Sequence, residues 1–206
     1  HAVQVLYAAL AEAGYFPKER LWTFEQKGSC FSGHPPAKGV PGIDFATGSM
    51  GHGVSAGVGM ALAAKRRKLP VNVYVVTGDG ELNVGSIWEG VMSAVKFGLD
   101  NLTVVVDNNG FQHDDTTEAV MPMGDIAAKF AAFGWETVKT DGHDIATVCD
   151  ALTEPRIPGL PRAIVARTVK GRGVDFVENN NLWHHNHFAR GEYECALSQL
   201  CGEEPS

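Results

Sequence analysis

Two oxygen-bearing side chains stand at positions where they can hold a divalent cation. Asp79 comes just after an apolar run, residues 71–76, and Asn109 comes just after a second run, residues 102–106. Magnesium prefers oxygen ligands in near-octahedral geometry and is usually shared with phosphate groups. The carboxylate of Asp79, the amide oxygen of Asn109 and the backbone carbonyl of Phe111 therefore predict a magnesium site beside a phosphate-bearing ligand.

The segment between the two apolar runs predicts how these groups come together. Ile87, Val91 and Ala94 recur at helical spacing, so the segment reads as a helix between two buried strands. Such a strand–helix–strand unit predicts parallel strands joined by a right-handed crossover. Parallel sheets carry their ligand sites at the carboxyl ends of the strands. We therefore expect Asp79 and Asn109 to lie close together in space.

Glycines surround both side chains and allow two interpretations. Gly78, Gly80 and Gly110 permit close approach of a ligand and unusual backbone angles. Taken alone, either glycine-containing segment is commonly just a turn. The joint pattern is more specific, because Asp79 and Asn109 are 109 − 79 = 30 residues apart and each follows an apolar run. In this it resembles the thiamine diphosphate binding motif.

Composition bounds the class of protein. The chain has 206 residues, of which 44% are hydrophobic and 20% charged, as expected for one globular domain. A net charge of −7 argues against non-specific nucleic-acid binding. No apolar run reaches 18 residues and no signal peptide is visible, so we expect no membrane association. Because the chain begins with His1 rather than Met, we expect upstream residues to be missing.

The four cysteines give no sign of a metal or redox site. They are Cys30, Cys149, Cys195 and Cys201, and none of them forms a CxxC pair. Reduced cysteines are typical of a cytoplasmic protein, which is the location we expect.

Further elements follow from periodicity and from stop signals. Helices are predicted over 1–14, after Pro17, over 54–65, 123–133, 145–152 and 192–200, and strands over 136–139 and 162–168. In the helix after Pro17, we expect Leu21, Trp22 and Phe24 to face inward. The alternation of strands and helices predicts an α/β fold with a parallel sheet. The Gly- and Pro-rich loop 28–51 is long enough to suggest a functional role.

Two charged segments near the C-terminus remain open to interpretation. Lys170 and Arg172 follow a predicted strand, where they form either a phosphate clamp or a solvated loop. The histidine-rich stretch 184–187 can bind metal. Because adjacent side chains cannot both point inward, His184 and His185 favour a single site histidine. His143 reads as a turn or surface histidine.

A series of segments resembles a known family in the same order along the chain. They are LYAALAEAGYF, SGHPP, TGSMGHGVSAGVGMALAAK, GDGELNVGSIWE, DNNG, FGWETVKTDGHD and RTVKGRGVDF. Together they are similar to the N-terminal half of transketolase over residues 1–187, and specifically to the split form with separate subunits. The resemblance implies a single diphosphate-binding domain over 1–206. At the chain end, we expect residues 202–206 to form a frayed tail. The resemblance also implies a parallel sheet with helices on both faces.

The resemblance implies cofactors and site residues. The cofactors are thiamine diphosphate and Mg²⁺, or Ca²⁺ or Mn²⁺ in its place. The metal ligands are Asp79, Asn109 and Phe111, and the catalytic residues are His1, His34 and His184. The cofactor-binding residues are His1, Gly48, Met50, Gly78, Asp79, Gly80, Glu81, Asn109, Phe111 and His184. Glu89 matches a carboxylate of the family's subunit-interface network.

The implied reaction is transfer of a two-carbon ketol unit from a ketose, usually phosphorylated, to an aldose. The activating glutamate would come from a separate pyrimidine-binding subunit, the C-terminal half, and two copies of each chain would form an α2β2 assembly. Val84 replaces a glutamate of the family and His185 replaces a glycine, so an unusual acceptor of specialised metabolism stays open beside the aldose. Two alternatives remain: an alpha-type subunit of a thiamine enzyme acting on 2-oxo acids, and a non-catalytic scaffold.

Overall fold

The structure is a computed structural model that describes residues 2–202. It comprises two compact units, one ending at Met50 and the other beginning at Gly51. The single domain expected over the whole chain stays a prediction. Gly202, the first residue of the expected frayed tail, follows the last helix in a left-handed conformation with φ of 71°. Residues 203–206 lie outside the described part, as does His1.

An aromatic cluster forms the core of the first unit. Helix α1 (Val3–Glu12) buries Tyr7, whose ring meets that of Phe31 edge-on with 5.0 Å between centroids. The ring of Phe16 meets Phe31 at the same distance. The Tyr7 hydroxyl also donates a hydrogen bond of 2.9 Å to the carbonyl of Ser32. These contacts anchor the long loop that follows to α1.

A short helix extends this cluster. It is a 3₁₀ helix, Lys18–Thr23, after Pro17. Leu21 and Phe24 pack against the aromatic cluster, as expected. Trp22 is 78% exposed, so the expectation that it faces inward is wrong. In a 3₁₀ helix residues three apart are eclipsed, so the face that buries positions 21 and 24 turns position 22 away.

Within residues 51–202, four parallel strands and six α-helices build the second unit. The strands are β1 (Val73–Gly78), β2 (Leu102–Asn108), β3 (Glu136–Asp141) and β4 (Arg162–Arg167), in the sheet order β1-β2-β4-β3. The helices are α2 (His52–Arg66), α3 (Gly85–Lys96), α4 (Thr117–Val120), α5 (Ile126–Ala132), α6 (Ile145–Thr153) and α7 (Arg190–Cys201). The predicted parallel pairing of β1 with β2 is confirmed. Within residues 2–202, no helix is both long and apolar enough to cross a membrane.

Several element boundaries differ from the prediction, and the structure explains the starts of β1 and α5. Strand β1 begins at Val73 rather than at residue 71, because Val73 lies opposite Leu102, the first residue of its partner strand. Helix α5 begins at Ile126 rather than at residue 123. The Asp125 carboxylate accepts a 3.0 Å hydrogen bond from the backbone N–H of Ala128, and this cap fixes the start of the helix.

Helices cover both faces of the sheet, as expected. Helices α2, α3 and α5 share one hydrophobic core with Val104 and Val165 of the strands. Successive strand residues point to opposite faces, and Arg162 points away from that core. Its guanidinium donates a 3.0 Å hydrogen bond to the carbonyl of Ala151, which places α6 on the second face. Helix α2 lies directly on β1, since a Cβ at Gly57 would be 2.6 Å from a methyl group of Val75.

Arg162 joins β4 to its neighbours on the second face. Its side chain is 1% exposed and makes two 2.9 Å hydrogen bonds to the Glu136 carboxylate. The remaining N–H groups donate to the carbonyls of Ala151, Glu154 and Pro155. A buried charge that is paired and fully hydrogen-bonded is tolerated, whereas removal of one partner is costly.

We expect Arg162→Ala to lower the free energy of unfolding by about 3–5 kcal/mol, because it leaves the Glu136 carboxylate without its charged partner. The control is Arg190→Ala, which breaks an exposed i,i+4 pair with Glu194 and should cost at most about 0.5 kcal/mol. Urea titration followed by circular dichroism measures both losses. Equal losses in the two variants would contradict the structural role of Arg162.

Candidate functional site

The carboxyl edge of β1 and β2 brings the predicted metal ligands together. Gly78 at the end of β1 lies opposite Asp107 in β2. Just beyond, the backbone N–H of Asp79 donates to the carbonyl of Asp107 at 3.1 Å. The N–H of Gly110 donates to Oδ2 of Asp79 at 2.7 Å. The expected proximity of Asp79 to the Asn109–Gly110 segment is therefore confirmed.

Asp79 is a buried carboxylate, only 1% exposed. Its Oδ1 accepts a 2.7 Å hydrogen bond from the N–H of Gly80, and its Oδ2 accepts the one from Gly110. Burial raises the pKa of Asp79 and the nearby Asp107 adds to the rise, while the two glycine N–H groups oppose it. Each oxygen keeps a second lone pair, so a divalent cation beside Asp79 would stabilise its ionised form.

The side chain of Asn109 is held in a fixed orientation. Its Nδ2 donates a 3.1 Å hydrogen bond to Oδ2 of Asp107, and its Oδ1 accepts from the N–H of Phe111 at 2.9 Å. The other oxygen of Asp107 accepts a hydrogen bond from the hydroxyl of Thr168, at the end of β4. Asp107 and Thr168 were missed in the sequence, although an acid two residues before a ligand amide is a recognisable signal.

A buried hydrogen-bond donor lies beside Gly80, the glycine that is predicted to contact the diphosphate. A Cβ at Gly80 would lie 2.7 Å from Cγ of Gln112, so a larger residue there would displace the Gln112 side chain. The amide nitrogen of Gln112 is buried and has no hydrogen-bond partner among the described residues. Several oxygen atoms that could bind a metal thus lie next to an unsatisfied N–H donor. This combination suits a divalent cation that carries phosphate oxygens. The residues present therefore fit a metal–diphosphate group.

Glu81, predicted to bind cofactor, contacts the start of α2. Its Oε1 accepts a 2.8 Å hydrogen bond from the N–H of Gly51, which has φ of 83°. Ser86 donates from its hydroxyl to the Gly51 carbonyl at 3.0 Å. A Cβ at Gly51 would lie 2.3 Å from a methyl group of Val84. Glu81, Ser86 and Val84 together fix the glycine-rich beginning of α2.

In the first unit, the structure brings His34 and Gly48 together. Gly48 has φ of 110°, and a Cβ there would lie 2.0 Å from Cδ2 of the His34 ring. Met50 is 68% exposed. His1, expected to touch both cofactor and donor, lies outside the described residues.

His184 and Lys170 form a second polar group in the second unit. Nζ of Lys170 lies 3.2 Å from Nδ1 of His184. Burial and then the positive charge of Lys170 lower the pKa of His184 to about 4. Burial also lowers the pKa of Lys170, against the attraction of Asp107 and Asp79. The ammonium thus lies near the carboxylates of Asp107 and Asp79, which favours the phosphate-clamp interpretation over a solvated loop.

An open cleft of about 550 Å³ lies between Lys170 and the Asp107–Asn109 segment. Asp107, Asn109, Lys170 and Gly171 line it, together with Thr168. The lining thus combines the carboxylate of Asp107 and the amide oxygen of Asn109 with the ammonium of Lys170. A ligand with a cation-bound phosphate group matches this arrangement of charge.

Because a neighbouring positive charge disfavours the imidazolium form, we expect Lys170→Met to raise the pKa of His184. In the native chain His184 stays neutral down to about pH 4, whereas the unfolded chain binds its proton near 6.5. Its contribution to stability is therefore lost as pH falls from about 6.5 to 4. Titration of histidine C2–H resonances measures the shift, with the exposed His187 as the control. An unchanged pKa in Lys170→Met would contradict the contact.

Comparison with known proteins identifies the family. Residues 1–203 match the family model of the transketolase thiamine diphosphate binding domain. The chain is 38% identical to one of the subunits of the apulose-4-phosphate transketolase of Actinobacillus succinogenes, over 98% of this chain and 74% of that protein. It is also 38% identical to 6-deoxy-6-sulfo-D-fructose transketolase subunit SqwG of a Clostridium species, over 97% of this chain and 73% of the relative.

The fold agrees with solved structures. The transketolase of Campylobacter jejuni matches with a TM-score of 0.88 and 28% identity over 97% of this chain. The match covers 32% of the solved chain, so this chain spans about a third of that enzyme's length. Transketolases use thiamine diphosphate with a divalent metal such as Mg²⁺ or Ca²⁺, and the oxygen ligands above fit that pair. The family and fold expected from the sequence are thereby confirmed: the chain belongs to the transketolase family, as a thiamine diphosphate binding domain.

Proposed function

We propose that the chain is the thiamine diphosphate-binding subunit of a split transketolase, which moves a two-carbon ketol unit from a ketose to an aldose. The observation that carries the proposal is the Asp79–Asn109 pair at the carboxyl edge of β1 and β2, with Asp107 behind it. Two relatives that are 38% identical are named subunits of transketolases. Their named sugars bear a phosphate or a sulfo group, so we propose an anionic sugar as substrate here.

The metal would be held by three groups. Asp79 supplies a carboxylate oxygen, Asn109 its amide oxygen and Phe111 its backbone carbonyl. Only Asp79 brings a negative charge, so it contributes most of the attraction for the cation. Asp107 aims the amide of Asn109 through the 3.1 Å hydrogen bond, as outer residues orient metal ligands elsewhere.

The remaining groups would bind the rest of the cofactor. Gly78 and Gly80 let the backbone approach the diphosphate, and the buried amide of Gln112 donates to it. Lys170 offsets its negative charge. Gly48 and Met50 contact the cofactor rings. Glu81 acts indirectly by holding Gly51.

Thiamine diphosphate supplies an electron sink for cleavage beside a carbonyl carbon. Proton transfers to and from sugar hydroxyls then fall to His34 and His184, with His1 beside the donor. A pKa of about 4 keeps His184 neutral at physiological pH. It can therefore hydrogen-bond to a sugar hydroxyl as an uncharged ring.

The proposal requires a partner. The glutamate that activates the cofactor's pyrimidine comes from a pyrimidine-binding subunit, and two copies of each chain form an α2β2 assembly. Glu89 is exposed on α3, where it can take part in an interface network. All four cysteines are free, which supports a cytoplasmic enzyme.

The test is reconstitution with the partner, thiamine diphosphate and Mg²⁺. Ketose phosphates, sulfonated ketoses and 2-oxo acids are offered as donors, and mass spectrometry detects two-carbon transfer to an aldose. We expect turnover of a ketose. Turnover of 2-oxo acids alone would instead support the alpha-type alternative. Cofactor binding without any turnover would support a non-catalytic scaffold.

A further inference from the structure

We propose that the chain has a second ligand site, which binds a small sugar phosphate in a cleft between β4, β3 and the start of α5. The inference goes beyond the proposed function and does not depend on it, because it uses none of the proposed metal or cofactor ligands. The cleft has a volume of about 820 Å³. Small-molecule sites usually measure about 300–1,000 Å³, so a sugar phosphate fits.

Three adjacent strands end at this cleft. Asn108 of β2 and Asp141 of β3 lie on either side of Arg167, the last residue of β4. All three residues line the cleft. The side chain of Arg167 points to the same face of the sheet as Val165, which belongs to the core shared with α5. Ligands bind at the carboxyl edge of parallel sheets, so the position of the cleft suits a ligand site.

The cleft is distinct from the proposed cofactor cleft. Asp107 and Thr168 line the cofactor cleft and hydrogen-bond to each other there. Asn108 follows Asp107 and Arg167 precedes Thr168, so these two side chains point to the opposite face of the sheet. The two clefts adjoin, and Arg172 is among the residues that line both. A ligand in the second cleft would therefore lie on the other side of the ends of β2 and β4.

Two unpaired guanidinium groups make the cleft suitable for an anion. Arg167 and Arg172 are exposed in it, and among residues 2–202 neither side chain donates a hydrogen bond or forms an ion pair. The acidic groups of the cleft are already engaged. Asp125 pairs with Lys139 at 2.9 Å, and one oxygen of Asp141 accepts a 2.9 Å hydrogen bond from a backbone N–H. In a chain with a net charge of −7, two arginines without a carboxylate in one cleft favour an anionic ligand.

A phosphate monoester matches these groups better than a carboxylate does. It carries close to two negative charges at neutral pH, and a guanidinium can bind it through two parallel N–H groups. The remaining polar groups suit sugar hydroxyls, because the second oxygen of Asp141 can accept a hydrogen bond and the amide of Asn108 can both donate and accept. The lining therefore matches a ligand with a phosphate at one end and hydroxyls at the other.

Two hydrogen bonds hold the walls of the cleft together. Nε2 of His143, in the turn after β3, accepts a 2.7 Å hydrogen bond from the N–H of Val169, in the loop after β4. The N–H of Gly142 donates a 2.8 Å hydrogen bond to the carbonyl of Arg167. The loop after β4 is thus fixed relative to β3. Because the walls are in place before a ligand binds, the entropic cost of binding is lower.

NMR titration of the isotope-labelled full chain tests the site, because it locates binding without the partner. Fructose 6-phosphate is the probe, and inorganic phosphate and fructose represent its two parts. We expect fructose 6-phosphate to shift the Nε–H resonances of Arg167 and Arg172. It should bind about threefold or more tightly than inorganic phosphate, since the hydroxyls add hydrogen bonds. Fructose at the same concentration should cause no shift.

Arg167→Gln should weaken binding of fructose 6-phosphate by about 10- to 100-fold, the usual worth of a charged hydrogen bond. The control is Arg67→Gln, which makes the same change of charge at an exposed arginine after α2 and should bind like the wild type. Equal affinity in the two variants, no shift at Arg167, or shifts confined to Lys170 and Gly171 of the cofactor cleft would overturn the site. Equal affinity for inorganic phosphate and fructose 6-phosphate would overturn the assignment of a sugar.

Discussion

Replacing Asp79 with asparagine is expected to weaken magnesium-dependent binding of thiamine diphosphate by about 100-fold or more. Even substitutions behind a metal ligand cost 10- to 100-fold in affinity, and Asp79 is the one charged group among the three proposed ligands. Asparagine keeps the size of the side chain at a position that is 1% exposed. Calorimetric titration of the assembled protein, with and without Mg²⁺, measures the loss.

The matched control is Asp150→Asn, an exposed acid on α6, which should bind cofactor like the wild type. Stability gives a second check. Because burial raises the pKa of Asp79, the metal-free chain loses stability as pH rises from the ordinary value of the group to its raised value. Asp79→Asn should abolish that loss. Full cofactor affinity in Asp79→Asn would contradict the metal assignment.

Replacing His34 with alanine is expected to lower kcat for ketol transfer by about 10²- to 10⁴-fold, the usual contribution of a general acid or base. Cofactor affinity should change little, because the proposed metal and diphosphate ligands lie elsewhere in the chain. Stopped-flow or steady-state assays with a ketose phosphate measure the first quantity and calorimetry the second. A His34→Ala variant that loses cofactor affinity but retains kcat would contradict its role.

Gly48→Ala offers a matched variant, which keeps the His34 side chain but displaces its ring. Its Cβ would lie 2.0 Å from the His34 ring, and φ of 110° is unfavourable for alanine. The ring must therefore move. We expect the same loss of kcat, whereas Gly59→Ala, where a Cβ meets nothing within 4 Å, should leave kcat unchanged.

Much of the fold was predictable because its signals are local. The apolar runs before Asp79 and Asn109 form neighbouring parallel strands, and Asp144 caps α6 as its position suggests. The prediction that Trp22 faces inward was wrong, because hydrophobicity alone does not tell which side of a 3₁₀ turn faces a core. The start of β1 at Val73 depends on its partner strand, which local sequence does not contain.

The site was less predictable where its contacts are long-range. Asp107 reaches Thr168 across 61 residues and Lys170 reaches His184 across 14. Glu81 bonds to Gly51 across 30 residues, so its carboxylate holds backbone rather than simply lining the cofactor cleft. Such pairs follow from the order of strands in the sheet, which motifs do not specify.

The measurement that tests the account most directly is calorimetric titration of thiamine diphosphate, with and without Mg²⁺, into this chain alone and into the chain plus its pyrimidine-binding partner. The account predicts tight, magnesium-dependent binding only when the partner is present. Absence of binding in every mixture would contradict it, since the Asp79–Asn109 edge would then hold no cofactor.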